Sequence, residues 1–321
     1  MDVKNVLKVK KHTSLQQRFP DATSASNLAR KQASGLIYGR QITPELMADI
    51  AAYAGNALEV VAAWKVGSYD AVLISNDLSG LLEQALIRYQ IDFVSTSELP
   101  DLSEPGLVVM DMDSTAIEIE CIDEIAVLAG VGEQVAEVTE RAMLGELDFE
   151  QSLRQRVATL AGADESILES VRSTLPMMPE LRELVATLHH YDWKVAIASG
   201  GFTYFSDYLK EELNLVHAQS NTLEIVNGKL TGKVLGDVVD AQAKADILRE
   251  LADQHEIALH NTVAVGDGAN DLLMLKVAGL GVAYHAKPKV EAEAPVVIRH
   301  ADLGGVMCIL SASLMPQGIS W

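Results

Sequence analysis

A chain of 321 residues, 49% hydrophobic and 22% charged, has an ordinary globular composition and length for two or three domains with a substantial core. Its formal net charge of −20 argues against a nucleic-acid backbone or an anionic membrane as partner, because like charges repel. A small anionic ligand stays compatible if a metal or a few cations reverse the field inside one pocket.

The charge is uneven. Residues 1–31 hold seven Lys/Arg against two Asp/Glu, or +5, which leaves −25 for the remainder. Lys4, Lys8, Lys10 and Lys11 interleave with Val6, Leu7 and Val9, so the start lacks the apolar run of a signal peptide. Nowhere does the chain approach the ~20 apolar residues of a membrane span. Cys121 and Cys308 are far apart and form no CxxC, which suits free thiols in a reducing cytoplasm.

Residues 1–32 show little periodicity and read as a mobile or loosely packed leader. An apolar strand is predicted at 34–38. A helix follows with Thr43 as N-cap, Pro44 at its first position, and Leu46, Ile50 and Ala51 on one face. Strands at 58–65 and 69–75 flank a Gly-Ser turn; a helix at 78–89 puts Leu81, Leu82, Ala85 and Leu86 on one face, and a strand closes the unit at 92–95. The order β-α-β-β-α-β is the split-βαβ arrangement of an α+β, ferredoxin-like domain over 33–97. In element order alone it resembles the amino-acid-sensing ACT modules. Binding of an amino acid such as serine and a structural or homodimerising role both stay open for it.

Residues 96–106, with Pro100, Pro105 and Gly106, read as a linker. A different architecture then begins. Leu107–Met110 is a fully apolar run, as expected of a strand buried on both faces of a parallel sheet. Similar runs recur at 195–198, 262–265, 280–283 and 296–298, with helical patterns between several of them, at 179–190 and 241–254 among others. This alternation predicts a doubly wound α/β domain over 105–321. A helical segment at about 118–180 interrupts it after the first strand. There Asp148 and Gln151 form a capping-box pair ahead of Leu153, Val157 and Leu160, and Asp164 starts a further helix. Such an insertion is placed to cap the sheet's C-terminal edge, where ligands bind in these folds. Asn227-Gly228 between alternating residues predicts a type I′ hairpin.

Asp111-Met112-Asp113-Ser114-Thr115 stands at the end of the first buried strand. Two carboxylates at i and i+2 concentrate negative charge there, which a cation between them would relieve. In an acidic protein an Asp-x-Asp pair alone more often means a solvated loop. A second cluster, Gly266-Asp267-Gly268-Ala269-Asn270-Asp271, follows another buried strand and turns Asp267 and Asp271 toward the same edge. Hard oxygen donors of this kind suit Mg²⁺. Ser199-Gly200-Gly201 ends a third strand, where a hydroxyl and adjacent N–H groups can grip a phosphate. Lys244 lies in the first turn of the 241–254 helix.

DxDxT, a strand-end Ser, a Lys and GDGxND, in this order, resemble the haloacid-dehalogenase-type phosphatase superfamily. The wording DMDSTAIEIECIDEIA, GELDFEQSLRQRV, ASGGF and VGDGANDLLML resembles its phosphoserine phosphatases, over roughly residues 105–321. The resemblance implies a Mg²⁺-dependent enzyme that hydrolyses O-phosphoserine, the last step of serine biosynthesis. It makes Asp111 the nucleophile and Asp113 the general acid and base. Asp111, the backbone carbonyl of Asp113, Asp267 and Asp271 would form the metal site, and Ser199, Gly200, Lys244 and Asn270 would hold phosphate. Glu120 would take the substrate ammonium and Arg156 its carboxylate, with Met143 and Phe149 shielding the site. A related small-molecule phosphatase, a phosphotransferase to an acceptor such as homoserine, and an amino-acid-sensing protein on a vestigial scaffold are the alternatives.

Overall fold

The computed structural model describes residues 6–20, 22 and 25–314. Its N-terminal unit contains β1 (Val9–Lys10), α1 (Thr13–Arg18), α2 (Asn27–Lys31), β2 (Gly35–Gly39), α3 (Pro44–Ala54), β3 (Val60–Val66), β4 (Tyr69–Ile74), α4 (Gly80–Arg88) and β5 (Asp92–Ser95). The expected β-α-β-β-α-β order holds from β2 to β5, and the sheet runs β1-β3-β4-β2-β5 with every pair antiparallel. Thr43 caps α3 through its side chain, and Pro44 takes the first helical position, where a missing N–H costs nothing.

Both faces of this sheet are covered. Ile37, Val72 and Ile74 pack with Met47, Ile50, Ala85 and Leu86 on one side. Leu36, Tyr38, Trp64 and Leu73 join the main core on the other. That double burial explains why β4 is buried at every residue and shows no alternation.

The leader departs from expectation. Val9–Lys10 adds a fifth strand against Val66 and Lys65, Leu15 is fully buried, and Arg18 pairs with buried Asp70 at 2.8 Å. Leu7 joins the main core, while Leu15 and Phe19, four residues apart, pack in the cluster on the other face of the sheet. A single i, i+4 pair on a helix of under two turns is too short a run to read as a period.

The second sheet holds β6 (Leu107–Met110), β7 (Lys194–Phe202), β8 (His217–Val226), β9 (Lys229–Leu235), β10 (Thr262–Gly266), β11 (Leu280–Tyr284) and β12 (Val296–Ile298). Its order is β12-β11-β10-β6-β7-β8-β9, parallel except for β9, which pairs antiparallel with β8. The chain moves from β6 to β7 on one side and returns to β10 on the other, so the strand order reverses at β6. That is the topological switch point, where adjacent loops diverge and leave a crevice at the strands' C-terminal ends.

The cap is α5 (Cys121–Leu128), α6 (Gly132–Met143), α7 (Phe149–Thr159) and α8 (Ser166–Ser173). The capping box is formed: Asp148 accepts from Gln151 N–H at 2.8 Å, and the Gln151 side chain accepts from Asp148 N–H at 3.2 Å. Its two linkers pair briefly, Glu118 N–H with the Pro176 carbonyl and Met178 N–H with that of Ala116. The cap is not closed by helices alone. Asn227 and Gly228 both take positive φ (51° and 74°), as a type I′ turn requires, and this hairpin reaches up to pair with residues 162–165 of the cap.

α9 (Leu181–His190), α10 (Thr203–Leu213), α11 (Ala241–Gln254), α12 (Leu272–Val277), α13 (Pro288–Glu291) and α14 (Gly304–Ser311) complete the fold. Every residue of α14 is buried, because the helix lies between the N-terminal sheet and the α/β domain. Trp64 Nε1 donates to Ser311 Oγ at 2.8 Å across this contact. At its edge the Asp92 carboxylate, 3% exposed, accepts the N–H groups of Arg299, His300 and Ala301 at 2.7–3.0 Å. Asp92→Ala orphans those donors and is expected to lower unfolding stability by about 3 kcal/mol. A urea titration followed by tryptophan fluorescence checks this, and an unchanged midpoint would contradict the locking role.

Candidate active site

Three adjacent parallel strands deliver the chemistry to one edge. β6 leads directly into Asp111, β7 carries Ser199–Gly201 at its C-terminal end, and β10 leads into Asp267. Asp111 N–H still belongs to the ladder, donating to the Val265 carbonyl at 2.9 Å, so its backbone is as rigid as the sheet. Beyond it the chain coils tightly: the Met112 carbonyl accepts from Thr115, Ala116 and Ile117, and Ser114 sits at φ 56°. The turn sends Asp113 to the base of the cap, where its Oδ2 accepts Cys121 N–H at 3.1 Å at the start of α5.

Lys244 joins these pieces. Its side chain has no exposed surface, and Nζ lies 2.9 Å from Asp111 Oδ1 and 2.7 Å from Asp271 Oδ1. Asp271 is also fully buried, and its Oδ2 accepts Gly268 N–H at 2.9 Å. Gly266 lets this carboxylate approach: a Cβ there would sit 2.4 Å from Asp271 Cγ.

Oxygens of Asp111, Asp267 and Asp271 lie within 4.8 Å of one another. Burial and the charges of Asp111 and Asp271 push the Asp267 carboxyl up to about 7. One lysine therefore does not satisfy three carboxylates, and a hard divalent cation fits the remaining oxygen donors. Asp113 is held well above the usual carboxyl range by burial and by the charges of Glu120 and Asp111, and its buried Oδ1 has no hydrogen-bond partner.

A cleft of ≈ 730 Å³ opens between this edge and the cap. Each residue expected at the site lines it except Lys244 and Asp271, which lie beneath its floor. Phe149 is packed over Gly200, where a Cβ would meet its ring at 2.6 Å, while Met143 is 68% exposed at the mouth. Glu120, also at the mouth, accepts from Ser114 Oγ at 2.8 Å. Arg156 is half-buried and forms no ion pair among the described residues; its Nε lacks a partner, and burial lowers its pKa. An unpaired, partly desolvated guanidinium facing a cleft is a ready carboxylate site.

Lys287 and Asp240 escaped the sequence reading, and Ser114 was given no role within its motif. Lys287 lines the cleft from the loop after β11, and Asp240 N-caps α11 by accepting Ala243 N–H at 2.8 Å. Asp240 carried a legible signal, an acid immediately before an amphipathic helix. Lys287, a lone lysine in a loop, carried none.

The haloacid dehalogenase-like hydrolase family matches residues 105–279. A phosphoserine phosphatase of Vibrio cholerae is 61% identical over 322 residues, spanning 100% of this chain and 98% of that protein. The chain belongs to the phosphoserine phosphatases of the haloacid dehalogenase-like hydrolases. Among solved structures, an unliganded probable phosphoserine phosphatase from Vibrio cholerae superposes with a TM-score of 0.91 over 98% of both chains. A phosphoserine phosphatase bearing a phospho-aspartyl intermediate analogue matches at 41% identity and a TM-score of 0.60, over 64% of this chain and 98% of that one. Residues 31–95 match a domain family of unknown function.

Lys244→Met keeps the volume of the side chain but leaves two buried carboxylates unpaired. It is expected to destabilise the fold by roughly 3–5 kcal/mol without added metal. Chemical denaturation measures this, and a loss below about 1 kcal/mol would mean the pair is solvated rather than buried.

Proposed function

We propose that this phosphoserine phosphatase transfers the phosphoryl group of O-phosphoserine to Asp111 and then to water, with Mg²⁺ bound. Both hydrogen bonds to Asp111 end on Oδ1, from Lys244 Nζ and from Met112 N–H at 2.7 Å, which leaves Oδ2 to attack phosphorus. The P–O bond to serine breaks as the Asp111–phosphorus bond forms, and the leaving oxygen takes the Asp113 proton. A carboxyl whose pKa is raised by burial and by the charges of Glu120 and Asp111 is suited to that task. In the second half Asp113 accepts a proton from water, whose oxygen attacks phosphorus, releases phosphate and restores Asp111.

Asp111, Asp267 and the Asp113 carbonyl would hold the ion. Asp271, whose two oxygens each accept one hydrogen bond and keep a further lone pair, would support the ion directly or through water while it holds Lys244 and the Gly268 turn. The bound ion would neutralise phosphoryl oxygens in a reaction governed by positioning and charge. Ser199, Gly200, Asn270 and Lys244 bind the same group.

The observation that carries the substrate assignment is that Glu120 and the unpaired Arg156 face one cleft above Asp111 and Asp113. An amino acid presents an ammonium and a carboxylate, and this pair matches both. The free, buried cysteines Cys121 and Cys308 fit the reducing cytoplasm in which we place the enzyme. We further propose that residues 35–95 form an ACT-like module. The support is an antiparallel β5-β2-β4-β3 core under two helices, and the proposal is tested by serine titration calorimetry on the whole chain.

Asp111→Asn is expected to abolish Mg²⁺-dependent phosphate release from phosphoserine while the protein stays folded; substantial turnover would refute the nucleophile. Glu120→Gln and Arg156→Ala should each raise KM for phosphoserine roughly 10- to 100-fold. An aryl phosphate lacking both groups should be little affected, and equal losses on the two substrates would remove the substrate assignment.

A further inference from the structure

We infer that Asn221, a residue outside the cleft, is a positioning residue that holds the two phosphate-facing segments in register. The inference rests on the reading that Ser199, Gly200 and Lys244 bind phosphate. β7 and β8 pair at Ala198↔Gln219 and next at Phe202↔Asn221, so β7 advances four residues while β8 advances two. The two extra residues throw Ser199–Gly201 out of the ladder as a bulge aimed at the cleft. A bulge of this kind deprives its carbonyls of their ladder partners, and a buried carbonyl must be satisfied in another way.

Asn221 supplies the partner. Its side chain is buried, with the residue 1% exposed, and Nδ2 donates to the Gly200 carbonyl at 2.8 Å. Its Oδ1 accepts Val239 N–H at 2.9 Å. The amide has only one orientation that serves both, since a carbonyl accepts and an N–H donates. Val239 precedes Asp240, the N-cap of α11, and Lys244 lies in the first turn of that helix. One side chain thus ties the β7 bulge, which offers Ser199 and Gly200 to phosphate, to the start of the helix that carries Lys244. Displacement of either segment would separate donors that must converge on the same phosphoryl oxygens.

A buried, hydrogen-bonded asparagine with only a packing role would loosen the whole domain when replaced. The clamp predicts a selective defect. Asn221→Asp keeps the shape and the acceptor for Val239 but sets a carboxylate oxygen against the Gly200 carbonyl. In the full-length, Mg²⁺-loaded enzyme, competitive inhibition by inorganic phosphate should weaken roughly 10- to 100-fold. Inhibition by L-serine, which depends on Glu120 and Arg156, should stay at the wild-type level. Asn221→Ser is read in the same way and serves if the aspartate variant does not fold. Unchanged phosphate inhibition in a folded variant overturns the clamp, as does an equal loss of both inhibitions. Ser199→Ala separates the two levels: if it retains phosphate inhibition, the phosphate-site reading itself fails and the clamp with it.

Discussion

A lysine with no exposed surface, held between two carboxylates, is the constraint around which this molecule is built. Removing charges from water costs several kcal/mol per ion, so Lys244, Asp111 and Asp271 persist together only where the geometry between them is good. Three distant parts of the chain meet that requirement: the end of β6, the first turn of α11 and the turn after β10. The cluster still carries a surplus of negative charge, which Asp267 increases. The same imbalance that makes the edge costly to form makes it suited to a divalent cation and a phosphoryl group.

The fold supplies rigidity where the chemistry requires it and openings elsewhere. Asp111 keeps a ladder hydrogen bond to Val265, so the proposed nucleophile inherits the stiffness of a strand buried on both faces. Strand order reverses beside it, which leaves the crevice in which phosphate can lie. In the proposed reading the substrate's amino-acid end would be met from the cap, by Glu120 at the start of α5 and Arg156 on α7, both of which line the cleft. Reaction and recognition would then sit on separate layers that meet at one cleft. The N-terminal unit shares its core with the α/β domain through α14, and Asp92 secures the edge of that contact.

What the sequence makes legible is what local chemistry dictates. The Asp148–Gln151 capping box, the Asn227-Gly228 turn and the apolar run at 107–110 each depend on neighbouring residues, and all form as read. The catalytic candidates were legible because strand-end acids are costly and their motifs are specific. Residues whose role depends on distant partners gave no such signal. Leu15 and Phe19 anchor a segment read as a leader, through contacts with elements well downstream. Asn221 appears as one polar residue in the run at 217–226, and the role proposed for it rests on contacts to the β7 bulge and to Val239 on either side of it. Lys287 was hidden for the same reason, since only the parallel sheet brings its loop to the cleft.

The central claim is that Asp111 carries the phosphoryl group covalently. Rapid acid quenching of the Mg²⁺-loaded enzyme during turnover of ³²P-labelled phosphoserine, followed by peptide mapping, tests it most directly. Covalent transfer to Asp111 gives hydroxylamine-sensitive label on the peptide containing Asp111, within the turnover time. Label on Ser199 or another side chain, or turnover with no covalent label at any quench time, would contradict it.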